Sequence, residues 1–190
     1  ITVTADAKLK PYGDSDPILT YQITSGSLKG GDVFAGVLGR STGEDVGNYS
    51  INLGTLSVGN NYTTTFVSKD LTIAQRPITI TADLNQTKTF GGSDPGAFLY
   101  GITSGSLVGA DVFTGSLQRA SGEDAGAYAI TVGTLTAGSN YAITFLSNDF
   151  TITKANQTIT FNALPDKTIG DAPFNLSASA SSSLPISFES

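Results

Sequence analysis

The sequence predicts an all-β chain built from tandem small β-sandwich domains set end to end as a rod. Three observations carry this. Apolar residues alternate with polar ones over runs of four to eight residues rich in Thr, Tyr, Ile, Val and Phe and bounded by Gly, Asn and Asp, which is the pattern of strands with one buried face. No helical stripe of ten or more residues interrupts them. And the chain repeats itself: residues 21–73 recur at an offset of 79 as residues 100–152, with 32 of the 53 positions identical. A tandem array gains length and repeated surface, whereas catalysis needs one site.

The elements follow in order. Ile1-Thr2-Val3-Thr4-Ala5-Asp6 opens the first unit and returns as Ile78-Thr79-Ile80-Thr81-Ala82-Asp83 at an offset of 77. The turn Asp16-Pro17 returns as Asp94-Pro95 at an offset of 78, so single insertions precede Asp94 and Tyr100, in turn-forming stretches where a loop lengthens cheaply. Alternation then marks strands around Leu19, Tyr21 and Ile23; Phe34, Gly36 and Leu38; Tyr49, Ile51 and Leu53; Tyr62, Thr64 and Phe66; and Leu71 and Ile73. Six or seven strands in about 77 residues call for two layers whose inner faces supply the core. The units are residues 1–76, 77–154 and a partial third at 155–190, which is expected to continue past Ser190. Gln157-Thr158-Ile159-Thr160-Phe161 stands as its opening strand, Ile169-Gly170-Asp171-Ala172-Pro173 echoes the first unit's turn, and Phe174, Leu176 and Ala178 alternate before a serine-rich run. Only Ala74-Gln75-Arg76-Pro77 joins the first unit to the second, and Lys154-Ala155-Asn156 joins the second to the third. Linkers this short, with Pro77 removing backbone freedom, predict a semi-rigid array.

Composition narrows the function. The chain has no Cys, Met, Trp or His, so it lacks disulfides, thiolate chemistry, imidazole bases and the zinc sites built on them. No catalytic residues are assigned. A net charge of -6 argues against nucleic acid or an anionic membrane as partner, and no run of some 18 apolar residues offers membrane insertion. The carboxylates Asp14, Asp16, Asp32, Glu44 and Asp45, with Asp94, Asp111, Glu123 and Asp124 in the second copy, are the hard oxygen ligands that calcium would use; the alternative is that they shape turns by bonding local backbone amides. Exposed aromatics such as Tyr12, Tyr62 and Tyr141 are the residues a glycan-binding reading would use.

Asp45-Val46-Gly47-Asn48-Tyr49 and Asp124-Ala125-Gly126-Ala127-Tyr128 both read Asp-x-Gly-x-Tyr, the pattern of a tyrosine corner in immunoglobulin-like sandwiches. The expectation is structural: Gly47 and Gly126 permit the turn, while Tyr49 and Tyr128 are buried with their hydroxyls bonded to backbone. Together with Tyr12-Gly13-Asp14-Ser15-Asp16-Pro17, Leu19-Thr20-Tyr21, Ile23-Thr24-Ser25-Gly26-Ser27-Leu28, Gly54-Thr55-Leu56, Asn61-Tyr62 and Leu71-Thr72-Ile73, it resembles the MBG domain (YGX type) of large bacterial surface proteins, over roughly residues 1–154. Residues 155–190 resemble the opening of a bacterial immunoglobulin-like domain. The second copy departs at its head, where Phe90-Gly91-Gly92 replaces Tyr12-Gly13-Asp14. The resemblance implies an extracellular or cell-surface array without catalytic residues. The expected function is a stalk or spacer whose partners are neighbouring repeats, with host or surface ligands met by other domains; the alternative is that the repeats bind a ligand themselves, rigidified by calcium.

Overall fold

The computed structural model describes residues 1–189; Ser190, the last residue of the third unit read from the sequence, lies outside them. Among the described residues every regular element is a strand. The first repeat has β1 (Thr2–Ala5), β2 (Lys8–Pro11), β3 (Tyr21–Ser25), β4 (Gly39–Arg40), β5 (Gly47–Asn52), β6 (Thr65–Val67) and β7 (Asp70–Ala74). They form two sheets, ordered β3-β1-β6 and β2-β7-β5-β4. The chain changes sheet between β1 and β2, so one extended segment borders both layers and fastens them.

Alternation places the inward residues. In β1, Val3 and Ala5 are buried; in β7, Leu71 and Ile73 are; in β5, Ile51 is. Val3, Ala5, Ile51 and Leu71 pack with Leu38 and Leu56 as the core, flanked by Tyr21 and Phe34, whose rings meet edge to face at 5.5 Å. Each fully buried Ile or Leu contributes about 1.5–3 kcal/mol, so a handful of them is what holds so small a domain without disulfides.

The second repeat copies this plan with β8 (Arg76–Ala82), β9 (Gln86–Thr89), β10 (Tyr100–Ser104), β11 (Gln118–Arg119), β12 (Gly126–Thr131), β13 (Tyr141–Leu146) and β14 (Asp149–Thr153). Its sheets run β10-β8-β13 and β11-β12-β14-β9. Ile80, Ala82, Leu117, Ile130, Leu135, Phe150 and Ile152 form its core.

Three features differ from the strand pattern read in the sequence. The sheets are mixed: β1 pairs parallel with β6 and β2 parallel with β7, as do β8 with β13 and β9 with β14. A period of two is the same for parallel and antiparallel neighbours, so pairing direction does not show in it. Phe34 to Leu38 is irregular chain held by one bridge, Ala35 to Ser57, because Gly36 adopts φ 84° and a Cβ there would lie 2.2 Å from the Thr55 carbonyl. In the third unit, β15 (Ile159–Phe161) pairs only with β16 (Ala178–Ala180), leaving Phe174 and Leu176 outside any strand. No hydrophobic residue after Ile152 is buried among those described, and a two-stranded ribbon without a covered face is marginal.

Candidate functional site

Two arrangements concentrate the charged and aromatic residues. The first lies beside each tyrosine corner. Lys10, on β2, points inward and is only 4% exposed, so its ammonium must be paired. It binds Asp16 Oδ1 at 2.6 Å and Glu44 Oε2 at 2.6 Å. Arg40, on β4, completes the quartet: its Nε donates to Asp16 Oδ2 at 2.5 Å and its Nη2 donates to Glu44. The same guanidinium donates to the carbonyls of Gly43, at 2.6 Å, and Ser41, at 3.0 Å, and lies 5.3 Å from the Tyr49 ring centre. Lys88, Asp94, Arg119 and Glu123 repeat this in the second domain, with Arg119 over both Tyr128 and Phe150.

The electrostatics follow. Hydrogen bonds from Arg119 and then Lys88 hold the Asp94 carboxyl down at about 2, and Arg40 and Lys10 lower Asp16 in the same way. Glu44 is lowered by Lys10 and Arg40, and Glu123 by Lys88 and Arg119. Desolvation works against the Lys10 charge, yet its bonds to Asp16 and Glu44 outweigh that and raise it. Two cations and two anions cancel, so each quartet is neutral. It knots the β2–β3 turn to the turn before β5.

Tyr49 and Tyr128 are half-buried, not buried, because the guanidinium rather than the core covers one face of each ring. Their hydroxyls donate to the Asp45 and Asp124 carbonyls at 2.8 Å. The glycines that the corner requires are not Gly47 and Gly126, whose φ is not positive. They are Gly43, at φ 138°, and Gly122, at φ 142°, where a Cβ would stand 2.2 Å from the tyrosine ring.

The carboxylates read as calcium ligands are dispersed. Asp16 and Glu44 sit in the quartet, Asp94 and Glu123 in its copy; Asp14 and Asp45 lie at the end of the first repeat near β8; Asp32 lies at the opposite end, bonded to the Tyr62 hydroxyl at 2.7 Å. Asp111 accepts tyrosine hydroxyls, and Asp124 serves through its carbonyl. Among the described residues no three acidic side chains gather where a metal ion could be held. The charged groups lining the clefts beside the quartets, Asp16 and Arg40 in one of about 380 Å³ and Asp94, Arg119 and Glu123 in one of about 440 Å³, are already paired.

The second arrangement is the joint between repeats. β7 ends at Ala74 and β8 begins at Arg76, so Gln75 alone separates them, and Pro77 lies inside β8 rather than in a linker. Gln75 Nε2 donates to the carbonyls of Ser139, at 2.9 Å, and Tyr141, at 3.2 Å. The Tyr12 and Tyr141 rings meet edge to face at 5.5 Å, and both hydroxyls donate to Asp111 Oδ2, at 3.0 and 2.5 Å. The Val108 amide donates to the Tyr141 hydroxyl at 2.7 Å. Gly13, at φ 82°, lets the turn reach Val108: a Cβ would come within 2.4 Å of its methyl. Arg76 Nη1 donates to the Tyr12 carbonyl at 3.1 Å and to Asp14 Oδ1 at 2.7 Å. Asn140 accepts from the Val46 amide at 2.9 Å and donates to Asp45 Oδ1 at 2.8 Å. The bond to Asp111 raises the Tyr12 hydroxyl above its ordinary value, and burial, then Asp111, raises that of Tyr141.

Sequence reasoning singled out neither Lys10 and Arg40 nor Asn140. A signal for the cations was present, since Lys10 recurs as Lys88 and Arg40 as Arg119 in a chain with only ten basic residues. Comparison with curated proteins finds no match, and comparison with solved structures finds none. A family model described as MBG domain (YGX type) matches residues 1–72 and again residues 78–151. Those segments are the two sandwiches with their quartets and tyrosine corners, and the chain belongs to the MBG domain (YGX type) family as two members in tandem.

Proposed function

We propose that this chain is a spacer: a stalk segment of a bacterial cell-surface adhesin or extracellular filament that holds a binding region away from the cell, without catalysis of its own. The observation that carries the reading is the joint. One residue separates the repeats, and side chains from both close over it with hydrogen bonds to Asp111, Asn140 and Arg76. The strands fix the direction of the contact. The end of β7 and the turns before β5 and after β2 meet the start of β8 and the turns after β10 and before β13, a tail-to-head contact that supports a reading in which length adds. A transmitting element needs such a joint; a ligand site would instead leave convergent polar groups free. Membership of a repeat family and the absence of histidine and cysteine favour the same reading.

Small-angle scattering on the whole chain tests it. A compact globule of this length would have a radius of gyration of about 16 Å, and the spacer reading expects a clearly larger value with an elongated distance distribution. A value near that of the globule would remove it.

A further inference from the structure

We propose that the end of the first repeat opposite the joint carries a second copy of the socket that joins the two repeats, and that this copy fits the Tyr-Gly-Asp corner of another repeat of the first type, joined in line with it. In the joint, the receiving side is Val108, Asp111, Asn140 and Tyr141. Their equivalents in the first repeat, at an offset of 79, are Lys29, Asp32, Asn61 and Tyr62, three of the four identical. The geometry is preformed. Tyr62 donates to Asp32 Oδ2 at 2.7 Å, and the Lys29 amide donates to the Tyr62 hydroxyl at 2.9 Å, matching the Tyr141, Asp111 and Val108 contacts.

What differs is cover. Tyr141 is buried and Asp111 and Asn140 are half-buried, while Tyr62 is half-buried and Asp32 and Asn61 are exposed. These are the groups that Tyr12 and Asp45 meet in the joint: an acceptor for a second tyrosine hydroxyl and an amide for a carboxylate. The occupant is set by that chemistry. It needs a tyrosine to share the carboxylate, a glycine to bring the turn close, and acidic residues. Tyr12, Gly13, Asp14 and Asp45 provide them, and Lys29 adds a cation where Asp14 would arrive. The corner of the second repeat, Phe90-Gly91-Gly92, has neither the hydroxyl nor the carboxylate. The socket therefore discriminates: a repeat of the first type can precede this domain through such a joint, and a repeat of the second type cannot. The inference rests on the joint's geometry and stands whether or not the array serves as a stalk.

The test places residues 1–77 ahead of the intact chain, so that Arg76-Pro77 leads into Ile1 as it now leads into Ile78, and follows amide hydrogen exchange. The expected result is that the receiving Lys29 and Tyr62 loops slow at least tenfold, to the level of the Val108 and Tyr141 loops. That protection should vanish when the leading copy carries Tyr12→Phe and Asp14→Gly, the corner of the second repeat. Equal protection with either corner, or none with a leading copy whose own Ile51 and Ile73 amides are protected, overturns the proposal. Val108→Lys in the unextended chain gives an independent reading that needs no added domain, because it gives the joint's socket the composition of its counterpart in the first repeat. Protection at Val46 and Tyr141 within twofold of wild type supports the proposal. Its collapse would show that a socket with lysine there cannot hold the corner, and would overturn it.

Discussion

At Gly43 the backbone takes φ 138° with the Tyr49 ring pressed where a side chain would start, and this position, not Gly47, makes the tyrosine corner depend on glycine. Gly43→Ala is expected to destabilise the first repeat by about 1–3 kcal/mol, the usual cost of a residue forced into a sparsely populated region, with Gly47→Ala near neutral; chemical denaturation of the two variants checks the order. Tyr49→Ala should cost no more than about 3 kcal/mol, the low end for losing a buried ring, because the ring is half-buried. Its effect should stay in the first repeat. The quartets make a pH prediction. Asp94 in the folded state titrates at about 2, below its ordinary value of 3.8, so its contribution is fully present above about pH 4 and is lost as pH falls toward 2. Lys88 is raised, so its contribution is present below 10.5 and is lost only above that. The melting temperature should therefore fall between pH 4 and 2 and stay level near neutrality. Because each quartet is neutral and its carboxylates are engaged, adding a chelator or millimolar calcium should leave the melting temperature unchanged; a calcium-dependent rise would restore the carboxylates as metal ligands.

At the scale of elements, the legible part of the fold was what alternation encodes. Val3 and Ala5, Leu71 and Ile73, and Ile51 are inward residues that the period of two marks directly. The parallel partnership of β1 with β6 was not legible, since nothing in Thr2-Val3-Thr4 distinguishes a parallel neighbour from an antiparallel one. Nor was the burial of Lys10, which depends on Glu44, 34 residues further on, as well as on the nearby Asp16. The joint was half legible: the short connection was plain, and the replacement of Tyr12-Gly13-Asp14 by Phe90-Gly91-Gly92 marked a difference between the repeats, but its cause lies in Asp111 and Arg76 of the other domain. The joint yields its own prediction. Asn140→Ala removes two hydrogen bonds, each worth about 1 kcal/mol, and with Tyr12→Phe it should lower the transition of whichever repeat melts first, while the other repeat keeps its own midpoint. Tyr12 is held above its ordinary value by Asp111, so the coupling through its hydroxyl is present below about pH 10 and is lost as the hydroxyl ionises at higher pH. Coupling that strengthened above pH 10 would contradict this geometry.

At the scale of the whole molecule, stability is local and direction is collective. Each repeat has its own core and quartet, so damage to one leaves the other folded, while in the spacer we propose the joint makes two small sandwiches into one directed length. In the spacer we propose, the joint fixes the repeats relative to one another. The chain contains no cysteine, so Ile18→Cys and Leu84→Cys, at exposed positions in the first and second repeats, give one unique pair of spin labels. Pulsed dipolar spectroscopy of that pair should give a single narrow distance distribution, broadened severalfold by Asn140→Ala with Tyr12→Phe. A broad distribution already present without those substitutions, and unchanged by them, would show freely hinged domains and contradict a fixed joint.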